Sequence, residues 1–167
     1  MNFGDIVRDY SSRHRERARR ELRYYAIQRS LENAIREATL SRLPSGKRHP
    51  HQRRIPSHVL QSAERRLQAI AGQLQAAESF AELHDLIERR IKPIRGIGDL
   101  AVYDIAHRIG ATREGARALN LGGRTIEVRE LPARLRQLSA AEIEDCLCIY
   151  KDALRAPDLR IGTRTVC

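Results

Sequence analysis

The stretch that decides the fold is Ile94-Arg95-Gly96-Ile97-Gly98, followed by DLAVYDIAHRI at residues 99–109. Two glycines separated by one isoleucine permit a very tight turn, because glycine reaches backbone conformations that are closed to other residues. The segment after the turn is apolar on most faces, which is typical of a short helix packed on several sides. The stretch therefore predicts a tight turn that leads into a central helix.

The residues before the turn predict another helix, so that the turn joins two helices. Ser79 with Glu82 is typical of a capping box, in which each side chain accepts a hydrogen bond from a backbone N–H at the helix start. Leu83, Ile87 and Ile91 recur at the helical period and form the apolar stripe of this helix. We therefore expect two helices that pack against each other, with the turn between them.

This arrangement resembles the helix-hairpin-helix motif of many DNA-binding, DNA-repair and DNA-processing proteins. The resemblance covers residues 83–109: the turn at 94–98, Val102 four places after the second glycine, and Ile105 three places further on. Ile97 is expected to fill the space between the helices. The resemblance implies that backbone N–H groups at the start of the second helix approach a phosphate oxygen without reading bases. In related motifs the hairpin carbonyls also hold a monovalent cation, and the resemblance allows one here.

Gly98 is the position at which we expect either a positive φ or a close approach of phosphate, because both require the absence of a Cβ atom. Asp99 departs from a simple phosphate site, since it places a carboxylate where the phosphate would lie. An acidic residue also stabilises a helix N-terminus for structural reasons alone. Because of Asp99, two interpretations of the hairpin remain: a site that binds phosphate, or a turn whose role is only to pack the two helices together.

The net charge of +10 is concentrated near the N-terminus: residues 1–56 contain 14 Lys and Arg against 6 Asp and Glu, whereas residues 57–167 contain 17 against 15. Such asymmetry is typical of a segment that meets a polyanion, either nucleic acid or an anionic membrane surface. No stretch is apolar enough for a membrane span, and the start MNFGDIVRDYSS lacks the apolar core of a secretory signal. We expect a cytoplasmic protein that contacts no membrane.

The sequence predicts an all-α protein of about six helices around one core. Residues 1–56 are expected to form a long basic helix, from about Arg15 to Leu43, and an exposed, weakly ordered basic linker at 44–56, whereas residues 57–167 form the helical core domain with the hairpin. Further helices are predicted from Ser57 to about Ala77, from Thr112 to near Asn120, and after the capping box of Ser139 with Glu142. Arg124–Arg129 is predicted to be extended. The expected core residues are Leu67, Ile70, Leu74, Leu83, Ile87, Ile97, Val102, Ile105, Leu147 and Tyr150.

Nucleic-acid contact, with DNA as the expected partner, is predicted to have two parts. The local part is the hairpin with the basic residues beside it: Gly96, Ile97, Gly98, Arg95, Lys92, Arg89 and Arg90. The second part is a broad electrostatic attraction from the N-terminal basic residues: Arg13, Arg15, Arg17, Arg19, Arg20, Arg23, Lys47, Arg48, Arg53 and Arg54.

An enzyme is less favoured by the sequence than a binding protein. DNA glycosylases of the helix-hairpin-helix kind use a catalytic Asp further along the chain, but no Asp lies between Asp104 and Asp145, and the chain has no Trp to hold a flipped base. Asp104 with His107, and His84 with Glu88, have spacings more typical of surface pairs than of acid–base couples. The three cysteines lack the spacing of a zinc site, so no metal is expected.

The alternative to nucleic-acid binding is a helical adaptor that docks a protein partner, in which the hairpin is only structural. Salt-sensitive association with DNA favours the first hypothesis, because each neutralised phosphate releases counterions. A salt-insensitive complex with a protein favours the second. The sequence alone leaves DNA and RNA, the protein partner and the oligomeric state open.

Overall fold

The computed structural model describes residues 3–111, 118–121, 124–127, 135–150 and 153. These residues confirm the all-α class, with eight α-helices where about six were predicted. The helices are α1 (Phe3–Arg13), α2 (Arg15–Ala26), α3 (Leu31–Thr39), α4 (Ser57–Gln68), α5 (Ala71–Ala76), α6 (Phe80–Ile91), α7 (Asp99–Gly110) and α8 (Ala140–Ile149). Short 3₁₀ turns lie at Pro50–Gln52 and Leu135–Gln137. None of the described helices has both the length and the apolar character of a membrane span.

The prediction of one long helix from about Arg15 to Leu43 is wrong, because that region contains α2 and α3. The break falls after Ala26, and α3 restarts at Ser30, whose hydroxyl accepts a hydrogen bond from the backbone N–H of Asn33 over 3.2 Å. Tyr25 is buried at the end of α2, and its hydroxyl donates to the carbonyl of Arg42 over 2.8 Å. Good helix formers on both sides of the break favour one continuous helix, although Ser30 is a suitable N-cap residue.

The chain divides into two units, residues 1–20 with 115–167 and residues 21–114, so the predicted boundary at residue 56 lies inside the second unit. In that unit α6 packs against α7 and α4, and α3 packs against α4 and α7. Its core contains most of the expected residues: Leu67, Ile70, Leu74, Leu83, Ile87, Ile97, Val102 and Ile105. The helix from Ser57 is shorter than predicted, because α5 begins separately after Ile70.

A separate apolar cluster forms the first unit, so the prediction of one core is wrong. Ile6, Val7 and Tyr10 of α1 lie in this cluster with Leu147 and Tyr150, which were predicted to join the other core. The predicted capping box of Ser139 and Glu142 is confirmed at the start of α8. Cys146 is buried here, as its position on the helix predicts, and burial raises the pKa of its thiol to about 12.

The same unit contains a two-stranded antiparallel pair. Strand β1 (Ala118–Leu121) pairs with β2 (Arg124–Glu127), with Leu119 opposite Ile126. The extended segment predicted from Arg124 is therefore confirmed over its first four residues. The helix predicted to end near Asn120 is wrong there, since Asn120 belongs to β1; its start at Thr112 and the chain after residue 153 lie outside the described residues.

Candidate nucleic-acid interface

The hairpin is formed as its sequence predicts, by a turn between α6 and α7. The N–H of Ile94 donates to the carbonyl of Ile91 over 2.9 Å, and the N–H of Ile97 donates to that of Ile94 over 3.0 Å. Ile97 is buried in the core beneath the turn. Backbone hydrogen bonds thus hold the turn, and the buried side chain of Ile97 attaches it to the core.

The two glycines of the turn have different physical roles. Gly96 has a φ of +101°, a conformation that side chains with a Cβ rarely adopt, so glycine is required there for the turn itself. Gly98 has a φ of −97° and a ψ of 173°, and a Cβ added to it would meet no atom within 4 Å. The expectation of a positive φ at Gly98 is therefore wrong, and the backbone at this position is open to residues other than glycine.

Gly98 is also the N-cap residue of α7, and no side chain caps this helix end. The first N–H groups of a helix have no partner within the helix and carry partial positive charge. Gly98, Asp99 and Leu100 are all exposed. The N–H groups at the start of α7 are therefore presented at the protein surface.

The carboxylate that lies at this helix end is paired. Nζ of Lys92 donates to Oδ1 of Asp99 across the turn. The Asp99 side chain is 87% exposed, and that of Lys92 is 38% exposed. The predicted contact residue Lys92 is thus occupied by the carboxylate that was expected to oppose phosphate, while Arg89, Arg90 and Arg95 lie exposed nearby in the chain.

The arginines predicted as one basic arm on the N-terminal helix fall into two groups. Nε of Arg15 and Nε of Arg19 both donate to Oε1 of Glu142 over 2.7 Å, and Arg13 pairs with Asp9 over 2.9 Å. The Glu142 side chain is only 5% exposed. The second group, Arg17, Arg20 and Arg23, is exposed and forms no ion pair with a described residue.

Glu142 is held as a carboxylate by these contacts. Burial raises the pKa of Glu142. Hydrogen bonds from Arg15, from the backbone N–H of Ser139 and from Arg19 lower it by more, so the pKa falls to about 2. Arg15 and Arg19 thus neutralise a carboxylate within their own unit. Of the predicted contact residues on α2, Arg17, Arg20 and Arg23 face solvent without pairing with Glu142.

The segment 44–56 is mostly exposed, as predicted, but it is not a loose linker. Gln52 is 1% exposed; its Nε2 donates to Oδ2 of Asp104 over 3.0 Å, and its Oε1 accepts from Nη1 of Arg108 over 3.1 Å. Arg108 also donates to Oγ of Ser41 over 2.8 Å. The segment that carries Lys47, Arg48, Arg53 and Arg54 is therefore fastened to α7.

Of these four basic residues, Arg48 has a structural role. Its guanidinium donates to the carbonyl of Ile55 over 2.8 Å and to Oγ of Ser57 over 2.9 Å. Lys47, Arg53 and Arg54 are exposed. No local sequence signal indicated the buried contacts of Gln52 and Arg108, which join positions 56 residues apart.

The pairing of Asp104 with His107 does not form the acid–base couple that their spacing allows. Asp104 is bonded to Gln52 and lies 3.5 Å from Arg108, and Nε2 of His107 has no partner among the described residues. Burial lowers the pKa of His107 to about 4, so the imidazole is neutral at neutral pH. This histidine is partly buried and stacks on Tyr103.

Within the described part of the chain, one group has the composition of a metal site. His84, Asp85 and Glu88 of α6 place ligand atoms within 4.8 Å of one another. The sequence predicts no metal here and a surface pair of His84 with Glu88; the surface position is wrong for His84, which is buried. Because all three residues lie on one helix and Asp85 is exposed, the grouping follows from helical spacing alone.

Comparison of the chain with protein-family models, with curated proteins and with solved structures gave no match. The resemblance to the helix-hairpin-helix motif consequently rests on the residues and geometry of the hairpin itself.

Proposed function

We propose that this chain binds nucleic acid, with DNA as the preferred partner, without reading base sequence and without catalysing a reaction on it. The observation that carries the proposal is the exposed, uncapped N-terminus of α7, reached through a turn that needs glycine at Gly96. Backbone N–H groups in this arrangement suit a phosphate oxygen, since they combine hydrogen-bond donors with the positive end of the helix dipole.

Basic side chains around the turn support the same partner. Arg89, Arg90 and Arg95 are exposed, and none of them forms an ion pair with a described residue. Lys92 becomes available if a phosphate replaces the carboxylate of Asp99. Contacts of this kind go to the backbone of the nucleic acid, so they position the protein and carry no base specificity.

A protein partner is the second candidate, and one observation favours it. Leu100 is 56% exposed in the first turn of α7, beside the N–H groups proposed to bind phosphate. An exposed apolar side chain at a helix end is suited to a protein pocket. In this second candidate the hairpin serves as a rigid support for Leu100.

Salt dependence separates the two candidates. We expect the full chain to bind a fluorescent DNA duplex at low salt, with affinity that falls steeply as salt rises and that is equal for two duplexes of unrelated sequence. Replacement of Leu100 by Ser should leave duplex affinity nearly unchanged. Absence of any DNA or RNA affinity at low salt would exclude the nucleic-acid proposal in favour of the adaptor.

A further inference from the structure

Two arginines of α4 lie beside the arginines that end α6. Nη1 of Arg66 donates to the backbone carbonyl of Arg90 over 3.3 Å, and Nε of Arg90 donates to the carbonyl of Arg66 over 3.4 Å. Arg65 and Arg89 precede them in the last turns of the same two helices. Four arginines from two helices are thus gathered at neighbouring helix ends.

This cluster of Arg65, Arg66, Arg89 and Arg90 carries uncompensated charge. All four residues are exposed, and none of them forms an ion pair with any residue that the structure describes. Guanidinium groups brought close together repel one another unless an anion lies between them. A polyanion that covers the cluster removes this repulsion.

Helix capping accounts for only part of the cluster. Arg66 and Arg90 each bond to a carbonyl near the C-terminus of the other helix, where positive charge is favourable. Each guanidinium has five N–H donors, and these contacts use one donor from each. Arg65 and Arg89 are not needed for the contacts at all. Donors therefore remain available for a ligand outside the protein.

The position of the cluster relative to the hairpin is set by α4. The start of α4 lies against the turn, since a Cβ on Gly96 would be 3.6 Å from Cγ1 of Val59. Arg66 is seven residues further along the same helix, which corresponds to roughly 10 Å at a rise of about 1.5 Å per residue. Successive phosphates of one DNA strand advance by about 3.4 Å along the axis, so the two sites are far enough apart to contact different phosphates.

We propose that Arg65 and Arg66 of α4 form a second phosphate-contacting site for double-stranded DNA, which contacts a different phosphate from the one held at the hairpin. This inference rests on the proposed function and extends it, because the sequence motif ends at α6 and α7 and includes no residue of α4. The duplex is then held at two points on one rigid unit. Two-point contact fixes the direction of the DNA as well as its distance.

The test compares two double variants of the full chain that remove the same charge. Arg65→Gln with Arg66→Gln is measured beside Arg29→Gln with Arg36→Gln, whose side chains are exposed elsewhere in the same unit. The probe is a fluorescent DNA duplex, and the readout is the slope of log affinity against log salt. Loss of two phosphate contacts should flatten the slope by about 2 for the α4 pair, whereas the control pair should leave the slope unchanged.

A third variant separates charge from folding. Arg65→Lys with Arg66→Lys retains both charges but loses the Arg66 contact with the Arg90 carbonyl, and it should retain the wild-type slope. If the glutamine pair does not fold, Arg65→Gln alone is the test variant, and its slope of log affinity against log salt should be flatter by about 1.

Equal slopes in the α4 and control variants, with the wild type still binding DNA, would overturn the α4 site alone. Absence of wild-type binding would overturn the proposed function and this inference together.

Discussion

The carboxylate of Asp99, the first residue of α7, is paired with the ammonium group of Lys92, the residue that follows the end of α6. The pair closes the hairpin across its turn with one negative and one positive charge. Any anion that approaches the N-terminus of α7 must therefore compete with Asp99 for Lys92 and is repelled by the charge of the Asp99 carboxylate. An intramolecular carboxylate thus occupies the surroundings of the proposed phosphate site.

Replacement of Asp99 by Asn should tighten binding to a DNA duplex by about fivefold at low salt, because two unit charges about 4 Å apart interact by about 1 kcal/mol in water. The same change should lower the free energy of unfolding by about 0.3–1 kcal/mol, since the helix loses a favourable anion at its N-terminus. The control is Glu78→Gln, which removes the same charge just before the start of α6, at the opposite end of that helix from the turn. Equal affinity gains in both variants would mean that only net charge matters.

The glycines of the hairpin should respond differently to substitution. Gly96→Ala should lower the free energy of unfolding by about 1–3 kcal/mol, because alanine is strained at a φ of +101°. Gly98→Ala should change it by less than about 0.5 kcal/mol, since its φ of −97° is open to any residue. Urea denaturation measures both values. Gly98→Val should likewise fold, and a loss of DNA affinity in that folded variant would indicate close approach of phosphate.

The arginines of α2 offer a matched comparison on one helix. Arg17→Gln with Arg20→Gln should reduce the salt dependence of DNA binding, because these residues are exposed and their field attracts the polyanion. Arg15→Gln with Arg19→Gln removes the same charge but should chiefly lower thermal stability, since Glu142 loses its partners. Identical effects of the two pairs on the salt slope would contradict this division.

Acid should weaken the contact between α2 and α8 through Glu142. Its pKa is lowered from 4.5 to about 2 in the folded chain, so its contribution is complete above about pH 4.5 and is lost as the pH falls towards about 2. The contribution at neutral pH is on the order of 3 kcal/mol. Glu142→Gln should lower stability at pH 7 and flatten its pH dependence in this range. Parallel stability curves for the two proteins would assign the acid transition to other groups.

The basic segment 44–56 should lose its order when Gln52 is replaced by Ala, because both Asp104 and Arg108 lose a buried partner. A lost buried hydrogen bond of this kind costs about 1–3 kcal/mol. Hydrogen exchange of the backbone amides in this segment should become faster in the variant. Arg53→Ala, at an exposed neighbouring position, should leave the exchange rates as they are in the wild type.

Local signals explain what could be predicted from the sequence. The hairpin follows from glycine spacing and apolar periodicity, and the capping box at Ser139 follows from two side chains three residues apart. The break before Ser30 has a weaker signal: Ser30 is a suitable N-cap residue, but the good helix formers on both sides of it favour one continuous helix. Propensity is a weak constraint when tertiary packing opposes it.

The contacts of the candidate interface were likewise not predictable from local sequence signals. The composition of 44–56 correctly predicts exposure of Lys47 and Arg53, but burial of Gln52 depends on Arg108, which lies 56 residues away. Likewise, Arg15 and Arg17 are equivalent in sequence terms, and only a carboxylate from α8 distinguishes them. Positive charge could be located from the sequence, whereas its pairing could not.

One unit of this protein is assembled from both ends of the chain, and this has a consequence for the order of folding during synthesis. Tyr10 of α1 bonds to Asp145 of α8, a partner that the ribosome adds 135 residues later. Residues 21–114 are contiguous and can fold while the remainder is being made, as units of a nascent chain do. Throughout that interval Ile6, Val7 and Tyr10 lack the residues of 135–150 with which they cluster in the folded unit, so the apolar side of α1 stays exposed until those residues leave the ribosome.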